Sequence, residues 1–417
     1  MASSKSHRTG PLLAFGAVAM GAVTASVGII TPPAFADDYP SWNDVQQAKQ
    51  NVAQQQALVD KITGLINGLQ TQVNAANLVA QKAAEAYLQA QAQLDEATQK
   101  AADLQRQADA AAKKAQTSKM RAGLLASHLA RTGGQNPSVD LMLNGDNGNA
   151  AETLLYQLGT MSKLTQQSQG IYDQAIADKN TAQALTDQAA VARAKRTELA
   201  TAAQVALTAA KDAQAKVQSA LATQKQRSTE LVAQLASLKN TSAAVETSYL
   251  AGVKKAQEEA AAALAEKQRL AALAASGNNS SSSGGGNSVP NGSIVENAIA
   301  FAMAQRGDPY VLGGAGPNVW DCSGLTMMAY SAAGVYIGPH YVSGQYNVMR
   351  SEGKLFPYSQ RQRGDLLFWY NGGFYHVAIY LGGGMMIAAP TEGDVVKVQP
   401  VWGYGGDLMN VVGRPAA

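Results

Sequence analysis

The chain has 417 residues, of which 15% are charged, 6% are aromatic and one is a cysteine. Its net charge of +3 is close to neutral for this length, and no basic block occurs along it, so the composition argues against nucleic-acid binding. One cysteine cannot form a disulfide within its own chain, so this thiol is a reactive group, part of an intermolecular bridge or an inert buried residue.

The first 36 residues have the three parts of a secretory signal peptide. Lys5, His7 and Arg8 precede an apolar run, and the sequence Ala-Phe-Ala ends at Ala36 before polar residues begin. Gly and Pro interrupt the apolar run, which favours a cleaved signal over an uncleaved membrane anchor. We therefore predict a secreted, extracytoplasmic protein.

Residues 37–275 are predicted to form an alanine-rich coiled-coil domain. Apolar residues recur at spacings of four and three, as in Leu58, Ile62 and Leu65, and a seam that repeats every 3.5 residues is typical of coiled coils. The segment 132–152 is rich in glycine and contains a proline, which predicts a break between two long helices. The pattern therefore favours an antiparallel helical hairpin.

Residues 276–293 consist largely of Gly, Ser and Asn and are predicted to be a flexible linker. Residues 294–417 follow as a domain large enough to bury its own core. A helix is predicted from Ser293 to Gly307. Strands are predicted at the sequences DLLFWY, HVAIYLG, MMIAAP and VVKVQPV.

The single cysteine, Cys322, lies in the first turn of a predicted helix. Asp321 is a suitable N-cap, and Gly334 follows the last helical residues. The unpaired amides and the dipole at a helix N-terminus favour a thiolate over a thiol. We therefore predict a reactive Cys322 that alkylates with a midpoint below the pH of about 8.5 expected for a free cysteine.

A cysteine nucleophile needs a base, and the chain has four histidines. His376 opens a predicted strand, where the backbone is fixed, whereas His340 follows a proline in a turn-like stretch. These placements favour His376 as the base, with His340 as the alternative. No cluster of residues has metal-ligand spacing, so neither a metal nor a cofactor is predicted.

Three motifs occur in order: DCSGL, RGDLLFW and HVAIYLGGGMMIAAP. Over residues 294–414 they resemble the NlpC family of cell-wall cysteine peptidases. The resemblance implies a papain-like α+β domain that cleaves peptidoglycan stem peptides between D-glutamate and the following diamino acid. It also implies that Cys322 is the nucleophile and His376 the base. By the same resemblance, three residues bind substrate: Tyr310, Asp321 and Ser323.

One position departs from the family pattern. Family members usually carry a polar residue twelve positions after the base histidine, where it orients the imidazole and fixes its tautomer. Here that residue is Ala388. Either a backbone carbonyl, a water or a nearby group such as Glu392 takes over this role, or activity is reduced.

The order of segments resembles that of the coiled-coil cell-separation hydrolases of actinobacteria and firmicutes. This resemblance implies that the coiled coil restrains the enzyme and docks on a division-associated membrane complex of the FtsE and FtsX type. We therefore predict an exported, cell-wall-associated peptidoglycan endopeptidase that acts in wall remodelling or daughter-cell separation. Three alternatives stay open: a non-enzymatic wall-binding adaptor, an acyltransferase on the same scaffold, and a coiled coil that is a passive spacer.

Overall fold

A computed structural model describes residues 39–132, 150–253, 255–256, 292–403 and 406–417. The predicted signal peptide, most of the predicted helix break and all but the last two residues of the predicted linker lie outside these described residues. Within them, no helix is both long and apolar enough to cross a bilayer.

The N-terminal part of the structure is a long helical rod. It comprises a short helix α1 (Trp42–Ala48) and two long helices, α2 (Val52–Thr132) and α3 (Ala150–Lys239), followed by a helical stretch at residues 243–253. The Ser41 side chain caps α1 in a reciprocal pair with Asp44. With 81 and 90 residues, α2 and α3 are far longer than ordinary globular helices.

Helices α2 and α3 run antiparallel. Residues later in α2 contact residues earlier in α3. The side-chain pairs that establish this direction are Gln70 with Gln224, Gln105 with Arg193, and Ser118 with Asp178. On α2 the buried residues Ile62 and Leu69 are seven apart, as are Ala101 and Ala108. This heptad spacing confirms the predicted antiparallel coiled coil.

The C-terminal part of the structure has three helices before its sheet: α4 (Gly292–Ala304), α5 (Cys322–Ala332) and α6 (Val342–Ser351). The six strands are β1 (Leu355–Pro357), β2 (Leu366–Tyr370), β3 (Phe374–Gly382), β4 (Met385–Ala388), β5 (Lys397–Pro400) and β6 (Leu408–Gly413). Strands β2 to β5 coincide with the four predicted strands. The sequence did not predict α6, β1 or β6.

The strands form one antiparallel sheet in the order β1-β6-β2-β3-β4-β5. Helix α5 buries Leu325 and Ala329 in a core that includes Val377 and Ile379 of β3. A second core contains Trp369, Tyr380 and Ala388, among others. Alternation along β3 therefore assigns neighbouring side chains to different cores. Val377 and Ile379 face the core that contains Cys322, whereas His376 lies against Trp369 of the second core.

Candidate active site

The cysteine lies where the sequence predicts, as the first residue of α5. Asp321 caps this helix, and its Oδ1 atom accepts a hydrogen bond from the Gly324 amide at 2.7 Å. Ser323 Oγ donates to Oδ1 and the Gly313 amide donates to Oδ2, each at 2.9 Å. Asp321 therefore joins the start of α5 to the loop that follows Tyr310 through three hydrogen bonds.

His340 supplies a fourth partner for the same carboxylate. Its Nε2 atom lies 2.9 Å from both Asp321 oxygens, and its side chain is 23% exposed. Burial alone would lower the pKa of His340, but the hydrogen bond to Asp321 and the charge of that residue outweigh burial and raise it. His340 is thus held by Asp321.

Gly324 occupies a position where no side chain fits. A Cβ atom there would lie 2.1 Å from the carbonyl oxygen of Gly314 and 2.8 Å from Nε2 of His340. We expect Gly324→Ala to destabilise the C-terminal domain by about 3 kcal/mol, the upper end of the usual overpacking range. Denaturant unfolding followed by tryptophan fluorescence measures this effect. Gly373→Ala is the matched control because its Cβ would meet nothing within 4 Å, and an equal loss in both variants would contradict the clash.

The thiol of Cys322 is buried, and its environment opposes the acidity predicted from the helix start. The Ser323 amide, in the first turn of α5, lowers the pKa of this thiol as a helix N-terminus should, and the Val377 amide of β3 also lowers it. Burial raises the pKa more strongly, and the carboxylates of Asp321 and Glu85 raise it further, so the pKa lies well above its usual value. The prediction of an acidic thiol is therefore wrong for this conformation.

Alkylation of the full chain tests this shift directly, because Cys322 is the only cysteine and all label reports on it. A raised thiol pKa means less thiolate at any given pH, so the rate of reaction with iodoacetamide should reach half its maximum above the ordinary pH of about 8.5. Mass spectrometry at a series of pH values measures the midpoint. If Cys322 in the full chain alkylates with a midpoint below about 8.5, the value for a free cysteine, the buried conformation is contradicted.

His376 is fully buried on β3, opposite Trp369 of β2. Burial lowers the pKa of His376 to about 3, so its imidazole is neutral near pH 7. Neither ring nitrogen has a hydrogen-bond partner among the residues that the structure describes, Cys322 included. The raised pKa of the thiol and the lowered pKa of the imidazole both favour an uncharged pair over a thiolate–imidazolium pair.

The remaining site residues from the sequence lie around this pair. Tyr310 is buried, and this burial raises the pKa of its hydroxyl well above the usual value. Glu392 accepts a hydrogen bond from Gln214 of α3 at 2.8 Å, and it makes none to His376. Glu392 therefore does not replace the missing polar residue at Ala388 in this conformation.

The rod covers the site, and Glu85 of α2 makes the most specific contact. The amides of Val342 and Ser343, at the start of α6, donate to its two carboxylate oxygens at 2.7 and 2.8 Å. Tyr341, the N-cap of α6, makes no capping hydrogen bond through its side chain, so the Glu85 carboxylate satisfies the first amides of this helix. Burial raises the pKa of Glu85, which the Ser343 amide and its other hydrogen bonds partly oppose.

Other rod residues extend this contact. Gln81 donates to the carbonyl of Pro390, and Gln89 Nε2 donates to Ser343 Oγ at 2.7 Å. Leu78 packs against the core that contains Trp369. A Cβ atom at Gly393 would lie 2.6 Å from Leu221 of α3, so both long helices approach the C-terminal domain closely.

An N-capped helix that begins with cysteine and packs on an antiparallel sheet bearing a buried histidine agrees with the papain-like α+β domain predicted from the sequence. The family model described as the NlpC/P60 family matches residues 307–406. The chain carries an NlpC/P60 domain at its C-terminus.

Individual relatives match the chain over about the length of one domain. The chain is 40% identical over 119 residues to the peptidoglycan endopeptidase RipA of Mycobacterium tuberculosis, covering 25% of this chain and 24% of RipA. It is 38% identical over 120 residues to the peptidoglycan endopeptidase RipB of the same species, covering 26% of this chain and 48% of RipB. The match thus spans less than half the length of either protein.

A solved structure of RipD from Mycobacterium tuberculosis is also similar. RipD is described as a non-catalytic NlpC/p60 domain protein adapted to peptidoglycan binding. The two chains are 32% identical, and the match covers 29% of this chain and 96% of the RipD chain with a TM-score of 0.25.

The structure brings all five residues chosen from the sequence into one domain, but it also adds two that the sequence did not reveal. Glu85 lies more than 200 residues before the helix whose amides it binds. Trp402 stacks on His376 from the segment after β5. No local pattern marks either residue, because both contacts arise from tertiary packing.

Proposed function

We propose that this protein is a peptidoglycan hydrolase that cleaves stem peptides with a cysteine nucleophile. The observation that carries the proposal is Cys322 at the capped start of α5, beside the strand that bears His376. The similarity to RipA and RipB supports peptidoglycan as the substrate. The bond between D-glutamate and the following diamino acid is the proposed target.

In the proposed reaction, Cys322 attacks the scissile carbonyl and His376 takes the thiol proton, which it later delivers to the leaving amine. The backbone amide of Cys322 helps to stabilise the oxyanion. Tyr310, Asp321 and Ser323 line the site for the stem peptide. Because Asp321 also caps α5 and holds His340, its substitution would disturb both substrate binding and the nucleophile.

Digestion of purified peptidoglycan, followed by mass spectrometry of the soluble fragments, tests this proposal. An endopeptidase releases fragments cut within the stem peptide, whereas an acyltransferase joins fragments of higher mass. An adaptor binds the sacculus and releases nothing. The adaptor is the second candidate, and it is favoured by Ala388 and by the similarity to RipD, a protein described as non-catalytic.

We also propose that the rod restrains the enzyme. The Glu85 contact supports this role, because it lies between α2 and the helix that follows the His340 loop. A passive spacer would have no need of a buried carboxylate on the catalytic domain, since burying a charge costs free energy unless it is fully hydrogen-bonded. Restraint would keep an exported hydrolase, acting at the wall during cell separation, inactive until it is needed.

A membrane complex of the FtsE and FtsX type is the proposed partner that releases the rod. We propose that this partner binds the chain near Val139–Gly145, a segment that lies outside the described residues. Within the described helices, large apolar side chains are exposed in the last part of α2 and the first part of α3, including those of Leu124, Tyr156 and Ile176. Addition of a purified partner complex should raise fragment release by the full chain, and an unchanged rate would contradict this role.

A further inference from the structure

The absence of a polar residue at position 388 leaves open what orients the imidazole of His376. Continuing the β3–β4 register from Ile379 opposite Ile387 places Ala388 opposite Ala378, on the same face of the sheet as His376. Ala388 is only 1% exposed, and its methyl group cannot hydrogen-bond to an imidazole. The two unpartnered ring nitrogens exclude a hydrogen bond from any other described residue in this conformation.

Two tryptophans enclose the imidazole instead. The Trp402 ring stacks on His376 with a centroid distance of 5.0 Å and an interplanar angle of 27°. The Trp369 ring meets His376 edge-on, also at 5.0 Å, with an angle of 65°. Both distances lie within the range of about 4.5–7 Å at which aromatic rings attract beyond simple area burial.

Trp402 is itself fixed, so it can restrain another ring. Its carbonyl accepts a hydrogen bond from Trp369 Nε1 at 2.8 Å, and the two indole rings lie 4.7 Å apart. The preceding residue, Val401, is buried, and its amide donates to the Gly384 carbonyl at 2.8 Å. The segment that carries Trp402 is thereby tied to β2 and to the β3–β4 turn.

We propose that Trp402, together with Trp369, is a positioning residue that holds the imidazole of His376 in place of the polar residue that this chain lacks at Ala388. This inference rests on the proposed function, in which His376 is the base. Stacking fixes the plane of the ring but leaves both nitrogens free for the thiol and the leaving amine. A polar third residue would instead occupy one nitrogen and set the tautomer.

The same packing explains why alanine suits position 388. Ala388, Trp369, Tyr380 and Val401 share one core, and Trp402 packs against it. An imidazole or carboxylate at position 388 would need volume that these side chains fill. Ala388→His should therefore lower turnover, whereas the family pattern alone predicts that it raises turnover or leaves it unchanged.

The test uses the full chain labelled at histidine, because only four histidines contribute signals and His376→Gln identifies the resonance of interest. In the wild type, the His376 ring protons should show the ring-current shift of the stacked Trp402 indole. Trp402→Phe, which keeps an aromatic face, should retain most of this shift. Trp402→Met, which fills much of the same volume without such a face, should lose it. Trp42→Met is the matched control, since Trp42 lies on α1 and is 46% exposed.

The catalytic readout follows the same order. Trp402→Met should lower kcat by about tenfold or more at nearly constant KM, but by no more than the 10²–10⁴-fold that a positioned base supplies. Its His376 titration midpoint should also rise towards about 6.5 as water reaches the ring. Trp402→Phe should restore most of kcat. If Trp402→Met unfolds the domain, Trp402→Leu replaces it in both readouts.

The outcomes separate this inference from the function on which it rests. An unchanged His376 shift and titration in a folded Trp402→Met chain would overturn the positioning role, whatever the catalytic rates. If the wild type releases no fragments but the His376 signals respond as expected, the positioning role stands and the proposed hydrolase function fails. If Trp402→Phe loses as much kcat as Trp402→Met, stacking is not what Trp402 contributes.

Discussion

Cys322→Ala should abolish the release of soluble fragments from peptidoglycan. The thiol is the only cysteine in the chain, and its loss removes the covalent route altogether. His376→Ala should reduce release by about 10²–10⁴-fold, because a positioned general base contributes that much. Fragment release is measured by mass spectrometry on the full chain after its restraint is relieved, so that the wild-type rate is high enough to detect these losses.

His340→Ala is the matched histidine control, and it should keep most of the activity. Asp321 loses one donor in this variant, but the Gly313 amide, the Gly324 amide and Ser323 Oγ remain. Loss of one such hydrogen bond costs about 1–3 kcal/mol of folding stability without removing a proton acceptor from the reaction. An inactive His340→Ala with an active His376→Ala would reverse the assignment of the base.

The start of α5 was predictable because its signals are local. Asp321 as N-cap, Cys322 in the first turn and Gly334 after the helix are all encoded within fourteen residues. The four predicted strands were equally local, since alternating apolar residues marked them. The same locality explains the wrong prediction for the thiol. Burial raises its pKa and outweighs the Ser323 amide at the helix start, which does lower it.

The features that the sequence concealed depend on contacts between distant segments. Helix α6 begins after Tyr341, which makes no side-chain cap, and Gly344 lies in its first turn, so the segment resembles a turn. Its first amides are satisfied by Glu85, more than 250 residues earlier. Strand β6 forms between β1 and β2, far from its neighbours in the chain, and no local periodicity predicts such an insertion.

The environment of His376 also combines features that the local sequence predicts with contacts between distant segments that it does not. The sequence placed it correctly at the start of a strand and identified the alanine twelve residues later as a departure. It offered Glu392 as one substitute, but the rod binds that carboxylate through Gln214. The two tryptophans around the imidazole come from β2 and from the segment after β5, so only the assembled sheet brings them together.

Glu85→Ala should activate the full chain. With the rod docked, this substitution leaves the buried Val342 amide and its neighbour Ser343 without their acceptor, at a cost of about 1–3 kcal/mol. With the rod undocked, the same amides reach water and lose nothing. The equilibrium therefore shifts towards the open form by about 5–150-fold, and fragment release should rise by up to that factor.

Asp95→Ala is the matched control for this substitution. Asp95 is another acidic residue of α2, but it is exposed and accepts its hydrogen bond from Gln91 of the same helix. Its removal should leave fragment release unchanged. Glu85→Gln separates charge from shape, because the amide keeps one acceptor oxygen but directs an NH2 group at one of the two backbone donors. It should therefore activate the chain, though less than Glu85→Ala.

The restraint also predicts that residues 290–417 alone release fragments faster than residues 37–417 at equal molarity. A tethered rod docks at high effective concentration, so removing it should exceed the effect of Glu85→Ala. The Glu85 carboxylate contributes to the raised pKa of the thiol. The alkylation midpoint of Cys322 should therefore fall in the Glu85→Ala chain and in residues 290–417, which both lack this carboxylate. Equal rates of the long and short forms, with equal midpoints, would show that the rod is a passive spacer and that the contact at Glu85 does not limit access to Cys322.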